Sequence, residues 1–138
     1  MRETDASTMV WYMTEQIREL VTAYIDAIGE GRLQDLPAML DPDAEFIFGD
    51  TTLQGADAFA GGFKRLSKIL IRNEIRKIFV DGDEACVIYD FVTDTPAGAV
   101  LSVEYIKFKE GRIKSSLLVF ERLHWPEVMA ELQKRAPN

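Results

Sequence analysis

The chain has 138 residues, of which 47% are hydrophobic and 28% are charged, a composition that excludes the disordered and fibrous classes. Its length fits a single domain over residues 1–138. The excess of 23 acidic over 16 basic residues gives a formal charge of -7, which opposes binding to nucleic-acid phosphates and to anionic membrane surfaces, so we expect neither partner.

The cysteine content and the first residues bear on the cellular location. Cys86 is the one cysteine of the sequence, so no intrachain disulfide can form, and a reducing compartment is the simplest fit. Met1 to Asp5 carry charges of both signs with no apolar segment behind them. No stretch approaches the roughly 18 apolar residues of a membrane span. The sequence therefore predicts a cytoplasmic protein.

A helical pattern opens the chain between about Thr8 and Ile28, where apolar residues recur every three or four positions. These residues are Met9, Val10, Met13, Ile17, Leu20, Val21, Tyr24 and Ile28. Gly29 and Gly31 tolerate the left-handed conformation that often ends a helix, so the first helix should end there.

A second helix and a short strand are predicted next. The helical spacing is repeated by Leu33, Leu36, Met39 and Leu40. Pro37 fits this helix only near its first turn. Asp41-Pro42-Asp43 should end it, and Ala44 to Phe48 then has the pattern of a strand closed by Gly49-Asp50.

The rest of the chain predicts a third helix, four antiparallel strands and a short terminal helix. The helix should cover residues 55–67, because Phe59, Phe63 and Leu66 share one face. Runs of β-branched and aromatic residues, separated by turn residues, predict strands at 71–80, 84–93, 100–109 and 112–122. Pro126 should begin the last helix.

This order of elements resembles the NTF2-like superfamily, including its SnoaL-like members. The local sequence resembles that family in the stretch from Ala23 to Leu33, in Leu36 to Leu40, and in Asp43-Ala44-Glu45-Phe46. The resemblance implies an α+β, cone-shaped fold in which N-terminal helices pack on a curved, mixed or antiparallel sheet and enclose a pocket. It identifies the fold far better than an activity, because one fold hosts many functions.

The resemblance also offers a catalytic template, the Δ5-3-ketosteroid isomerase branch. That chemistry needs a carboxylate base and two neutral donors that hold an oxyanion. By position, Tyr24 matches the oxyanion-hole tyrosine and Glu104 matches the second donor, which is an aspartic acid in the family. Phe48 stands where the family has its base, and Asp50 lies two residues further on. Classical isomerase activity is therefore not expected.

Alternation along the predicted strands indicates which side chains face the pocket, since residues two apart share one face. The predicted polar points of the pocket are Tyr24, Tyr89, Glu104 and Ser116. The predicted ligand-binding wall consists of Phe48, Phe63, Tyr89, Phe91, Ser116, Leu118 and Phe120. A wall of this kind suits a hydrophobic ring compound that carries an oxygen. We expect no metal and no cofactor, because the sequence contains no phosphate loop and no metal-ligand spacing.

Several of these residues also have a structural interpretation, and both interpretations stay open. Tyr24 can be a core tyrosine, and Glu104 can be buried only to pair with it. If Glu104 instead projects into an apolar pocket, its pKa should be raised by desolvation. Asp50 fits a solvent-facing turn as well as the pocket, and His124 fits a loop as well as a general base.

The outer face of the predicted sheet carries more apolar residues than a solvated surface usually does: Ile88, Val92, Val103, Tyr105, Leu117 and Val119. A second copy of the chain should cover this face, which predicts a homodimer. Two functions remain open at this stage. One is an isomerase, cyclase or dehydratase that acts on a hydrophobic oxygenated substrate by general acid/base catalysis. The alternative is a non-catalytic ligand-binding or assembly domain that has lost its base.

Overall fold

The computed structural model describes residues 6–135 and has an α+β architecture. The helices are α1 (Ala6–Gly29), α2 (Leu36–Met39), α3 (Ala56–Leu66) and α4 (Trp125–Arg135). The strands are β1 (Leu40–Phe48), β2 (Thr51–Gln54), β3 (Leu70–Asp81), β4 (Glu84–Thr93), β5 (Ala99–Lys109) and β6 (Arg112–Phe120). Among the described residues, no helix combines the length and the apolar character needed to cross a membrane.

The strands form one curved, unclosed sheet in the order β2-β1-β6-β5-β4-β3. β1 runs parallel to β6, and every other neighbouring pair is antiparallel. The register shifts twice between β3 and β4, and once between β5 and β6 at Lys107/Phe108. Such irregularities bend a strand and increase its twist, which helps the sheet to curve around its helices.

Helix α1 lies against β3 at close range. A Cβ added to Gly29 would come within 2.7 Å of the backbone nitrogen of Asn73, a distance that real Cβ atoms do not adopt. The side-chain amide of Asn73 also donates a hydrogen bond to the carbonyl oxygen of Ile25, at 3.1 Å. Gly29 therefore permits the helix to approach the strand, whereas Gly31, with a φ of 73°, provides the left-handed turn that follows the helix.

Most predicted elements are confirmed, with three corrections near β1 and β2. The predicted second helix is a 3-10 turn (Leu33–Asp35) followed by the single turn of α2. β1 begins at Leu40 rather than Ala44, because Leu40 pairs with Ile113 of β6. β2 was not predicted at all; its four residues are mostly exposed and pair with only one strand.

The four long strands agree closely with the prediction. β4 has the predicted bounds, and β6 ends two residues early, at Phe120 instead of Arg122. Buried and less buried residues alternate along β4 and β5, so that each strand presents one face to the helices. The residues predicted to face inward on these strands, among them Tyr89 and Glu104, are buried.

Candidate ligand-binding cavity

A cavity of about 500 Å³ lies between the inner face of the sheet and the helices α3 and α4. Its walls are mainly aromatic and aliphatic. The lining residues are Phe46, Phe48, Thr51, Leu53, Phe59, Gly62, Phe63, Arg65, Leu66, Tyr89, Phe91, Val100, Ser102, Leu118, Phe120, Trp125, Met129 and Leu132. This size and character are typical of a small-molecule site.

Two periodicities place these side chains. On the strands, alternate residues face the helices, so that Val100 and Ser102 of β5 point to the same side as Phe91 of β4. On α3, Phe59 and Phe63 are four residues apart and share a buried face. The ring of Phe46 lies at centroid distances of 5.0 Å from Phe59 and 4.9 Å from Phe63, in edge-on contact. The cavity wall is therefore held by packed rings.

Helix α4 forms the remaining wall. Trp125, Met129 and Leu132 follow one another at steps of four and three and line the cavity from one helix face. The Trp125 ring packs on Phe120 with a centroid distance of 4.5 Å. At the other end of the helix, Arg135 donates to a carboxylate oxygen of Asp94 at 2.7 Å. These contacts fix α4 over the cavity.

Beyond the cavity wall lies a fully buried carboxylate with three hydroxyl donors. Tyr24 donates to Oε1 of Glu104 at 2.7 Å, and Ser116 donates to the same oxygen at 2.7 Å. Tyr89 donates to Oε2 of Glu104 at 2.6 Å. These side chains come from α1, β4, β5 and β6, so that three of the four long strands and the N-terminal helix meet at one polar cluster. We call these four residues the Glu104 cluster.

The electrostatics of the Glu104 cluster follow from burial. Desolvation raises the pKa of Glu104 above its ordinary value of 4.5, and the hydrogen bonds from Tyr89, Tyr24 and Ser116 only partly oppose that shift. Burial, followed by the proximity of Glu104, also raises the pKa values of Tyr24 and Tyr89 well above 10.0. Both tyrosines therefore stay protonated at neutral pH.

Tyr89 connects this cluster to the cavity. Its side chain lines the cavity, whereas Glu104, Tyr24 and Ser116 do not. While its proton is donated to Glu104, the phenolic oxygen of Tyr89 still has lone pairs that can accept a hydrogen bond. If Glu104 takes up a proton, it can donate to a tyrosine oxygen, and the Tyr89 hydroxyl becomes free to donate into the cavity. The cluster can therefore present either an acceptor or a donor.

The exposed lining residues mark the mouth of the cavity. Thr51 and Arg65 are exposed, and Met129 is 36% exposed, whereas Tyr89 is 2% exposed. Among the described residues that line the cavity, Arg65 is the only charged one. The cavity thus runs from a mouth with one cation to an inner end with a tyrosine hydroxyl.

The structure brings most of the predicted site residues together. Six of the seven predicted wall residues line the cavity: Phe48, Phe63, Tyr89, Phe91, Leu118 and Phe120. The seventh, Ser116, belongs to the Glu104 cluster instead, as does Tyr24. Asp50 lies exposed in the turn between β1 and β2, outside the lining. Glu104 is buried but does not line the cavity itself.

Sequence reasoning did not assign the residues that come from α4 or Arg65. The spacing of Trp125, Met129 and Leu132 on one helix face was a usable signal for the first group. Arg65 carried no such signal. It stands in the last turn of α3, where basic residues are favoured by the helix dipole whatever their function.

The described residues contain no group of three or more His, Cys, Asp and Glu side chains placed to hold a metal ion. His124 lies exposed in the turn that precedes α4, with its Nδ1 atom 3.5 Å from Oε1 of Glu127. It is not a lining residue of the cavity.

A family model described as a SnoaL-like domain matches residues 21–116, a range that includes Tyr24, Tyr89, Glu104 and Ser116. No curated protein matches the chain.

Solved structures share the fold at low sequence identity. A candidate SnoaL-like polyketide cyclase from Jannaschia is 16% identical, with a TM-score of 0.69 over 99% of this chain and 100% of that one. An NTF2-like protein of unknown function from Cytophaga hutchinsonii is 18% identical, with a TM-score of 0.69 over 80% of this chain and 95% of that one. A de novo designed protein with a curved β-sheet is 23% identical, with a TM-score of 0.74 over 88% of this chain and 98% of that one.

Proposed function

Because this chain belongs to the SnoaL-like domain family, we propose that it binds a small hydrophobic molecule that carries an oxygen, with the apolar body in the cavity and the oxygen at Tyr89. The cavity volume of about 500 Å³ is suited to a ligand of two to four rings. Burial of an apolar ring system there would supply most of the affinity.

The observation that carries the proposal is that Tyr89, together with Ser102, lines the buried end of a largely apolar space. The Tyr89 hydroxyl is oriented by its bond to Glu104, at 2.6 Å, and Glu104 is in turn held by Tyr24 and Ser116. A core that needed only to pack would not require a buried carboxyl, because burying one costs free energy. A site that must present one polar group in a fixed direction benefits from such support.

Binding is favoured over classical proton transfer by the chemistry of the walls. None of the lining residues in the described part of the chain is an aspartate, a glutamate or a histidine. Position 48 in the cavity wall is a phenylalanine, and the centroid of its ring lies 5.5 Å from that of Phe46. A substrate in the cavity would therefore meet no carboxylate base.

A catalytic role is the second candidate, and the raised pKa of Glu104 favours it. A carboxyl whose pKa is raised by burial can hold a proton and exchange it through Tyr89 with a substrate oxygen. Polyketide cyclisation, the reaction in the name of the Jannaschia protein, and isomerisation or dehydration would each use such an acid at a carbonyl or hydroxyl group. Tyr89 and Glu104 would be the groups that carry it.

Replacing Tyr89 with phenylalanine tests the proposed oxygen contact. We expect the affinity for 2-naphthol, measured by titration calorimetry, to fall by about tenfold, the usual worth of one hydrogen bond in a buried site. Naphthalene has the same rings without the oxygen and should bind Tyr89→Phe as well as it binds the unaltered protein. Equal losses for both probes, or no loss for either, would contradict the assignment of Tyr89.

We further propose that the outer sheet face pairs with a second copy of the chain. Three apolar side chains in neighbouring positions on this face are exposed: Val119 at 60%, Leu117 at 39% and Tyr105 at 37%. Tyr105 is opposite Leu117 in the register of β5 and β6. An exposed apolar patch on a sheet is typical of an interface between subunits.

The substitution Val119→Lys tests this pairing. We expect light scattering to show a dimer for the unaltered protein at micromolar concentration and a monomer for Val119→Lys, because a lysine in the middle of an apolar interface loses its hydration. Leu123→Lys is the matched control, since Leu123 is 78% exposed and lies beyond the end of β6. A monomeric unaltered protein would rule the pairing out.

A further inference from the structure

Arg65 stands at the mouth of a cavity whose other lining residues, in the described part of the chain, are uncharged. Arg65 is exposed and lies in the last turn of α3, one residue before the lining residue Leu66. Within the described residues, its side chain has no carboxylate within ion-pair distance. The protein has a formal charge of -7, yet no acidic side chain of the described residues neutralises this guanidinium.

Most of the other arginines of the described chain have a carboxylate partner. Five of them are paired with carboxylates: Arg18, Arg32, Arg72, Arg76 and Arg135. Arg122 lies over the Phe120 ring, 5.2 Å from its centroid. Arg112, at the hairpin between β5 and β6, has no carboxylate partner either, but it lies outside the cavity lining. Among the described arginines, Arg65 alone both lacks a carboxylate or ring partner and lines the cavity.

We propose that the ligand of this cavity is an amphipathic carboxylic acid, whose carboxylate is bound by Arg65 at the mouth while its apolar rings fill the interior. This inference rests on the proposed function, since it deepens the identity of the same ligand. The planar fork of a guanidinium matches the two oxygens of a carboxylate. The oxygen at Tyr89 and the carboxylate at Arg65 would thus lie at the buried and exposed ends of one molecule.

Burial supports this orientation. Tyr89 is 2% exposed and sits where a charged group would lose its hydration, whereas Arg65 is open to water. A carboxylate at the inner end would also face Glu104 through Tyr89, and two carboxylates there would repel each other. A carboxylate at the mouth keeps part of its hydration and gains a counter-charge. An anionic ligand should therefore bind with its carboxylate at the mouth and its neutral end at Tyr89.

The competing explanation is that Arg65 only complements the dipole of α3. Lys64 stands next to Arg65 in the same last turn and already supplies a cation there. A residue that only complements the helix dipole also has no need to line the cavity, as Arg65 does. The two explanations differ in what happens to ligand affinity, because a dipole role affects stability alone.

Two probes of the same shape separate a carboxylate site from a neutral one: 6-hydroxy-2-naphthoate and its amide, 6-hydroxy-2-naphthamide. We expect the acid to bind about fivefold more tightly than the amide near neutral pH, the scale of one exposed ion pair. Arg65→Gln should abolish this preference, and Arg65→Lys should keep part of it. Arg112→Gln removes the same charge outside the cavity and should leave the preference unchanged.

Salt dependence provides a second readout. Raising the salt from about 0.05 to about 0.5 M should reduce the preference for the acid, since screening weakens exposed ion pairs, and should leave the affinity for the amide nearly unchanged. If the amide binds but the acid has no advantage, the Arg65 proposal is wrong while the proposed function stands. If neither probe nor 2-naphthol binds, both proposals fail. An equal preference in Arg65→Gln would likewise overturn the role of Arg65.

Discussion

Replacing Glu104 with leucine should lower the free energy of unfolding by about 3 to 6 kcal/mol, because three buried hydroxyl groups lose their acceptor at once and each unsatisfied group costs about 1 to 3 kcal/mol. Tyr24, Tyr89 and Ser116 all donate to this one carboxyl. Partial re-pairing among the hydroxyls keeps the loss below the sum of the largest values. Urea unfolding at fixed protein concentration measures it.

The Glu30–Arg32 pair provides a matched control for this substitution. Arg32 donates a hydrogen bond to Glu30 at 2.8 Å, and the Glu30 side chain is 61% exposed, so water can replace either partner. Glu30→Leu should therefore change stability far less than Glu104→Leu. A loss in Glu104→Leu no larger than that of Glu30→Leu would show that the Glu104 cluster does not stabilise the fold.

Comparison with the variant Glu104→Gln shows how the Glu104 cluster makes the stability of the fold depend on pH. Burial raises the pKa of Glu104 in the folded state, and the groups that face it are two tyrosines and a serine with no basic side chain. Because the folded-state pKa of Glu104 is raised, the protonated carboxyl stabilises the fold fully when the pH is below the pKa of the unfolded chain, near 4.5. This contribution is lost as the pH rises through the folded-state pKa. The stability of the unaltered protein relative to Glu104→Gln should therefore decline above about pH 4.5 and then level off. If the stability of the unaltered protein relative to Glu104→Gln instead increases with pH, the folded protein prefers the carboxylate form of Glu104.

Filling the cavity should abolish binding while the fold persists. Leu118 lines the cavity and is opposite Glu104 in the register of β5 and β6, so a bulky ring at position 118 would occupy the space next to the Tyr89 hydroxyl. We expect Leu118→Trp to weaken the binding of 2-naphthol by at least about tenfold, since the indole takes the place of the ligand's rings. Thermal unfolding should change little, because a cavity of about 500 Å³ accepts a larger side chain without overpacking.

The control for this substitution is Leu123→Trp, which adds the same indole at a residue that is 78% exposed and outside the lining. It should bind 2-naphthol like the unaltered protein. Undiminished binding to Leu118→Trp in a folded variant would mean that the probe binds elsewhere on the molecule.

The sequence predicted the long strands and their faces because antiparallel strands with one buried face have a period of two. Tyr89, Glu104 and Ser116 were therefore assigned to the inner face correctly, and their burial agrees. The same reasoning could not show how far each inward-facing side chain lies from the cavity. It placed Glu104 in the pocket, whereas the structure has Tyr89 between Glu104 and the cavity, an arrangement that depends on side-chain length and on three specific hydrogen bonds.

Long-range pairing explains the elements that were missed. β1 begins at Leu40 because a parallel partner, β6, lies more than sixty residues away in sequence, and local propensity around Pro42 argues against a strand there. β2 is short, exposed and visible only through its pairing with β1. The terminal helix was predicted, but its packing over the cavity through Trp125 and Leu132 was not, since periodicity shows which face is apolar and not what it covers.

A crystal structure of the protein with 2-naphthol tests the central claim most directly. We expect the naphthalene rings inside the cavity, between α3 and the sheet, with the naphthol oxygen about 2.7 Å from the hydroxyl oxygen of Tyr89. The bond between Tyr89 and Glu104 should persist in that complex. A cavity without 2-naphthol at saturating concentration, or a naphthol oxygen that points away from Tyr89 toward the mouth, would contradict the account.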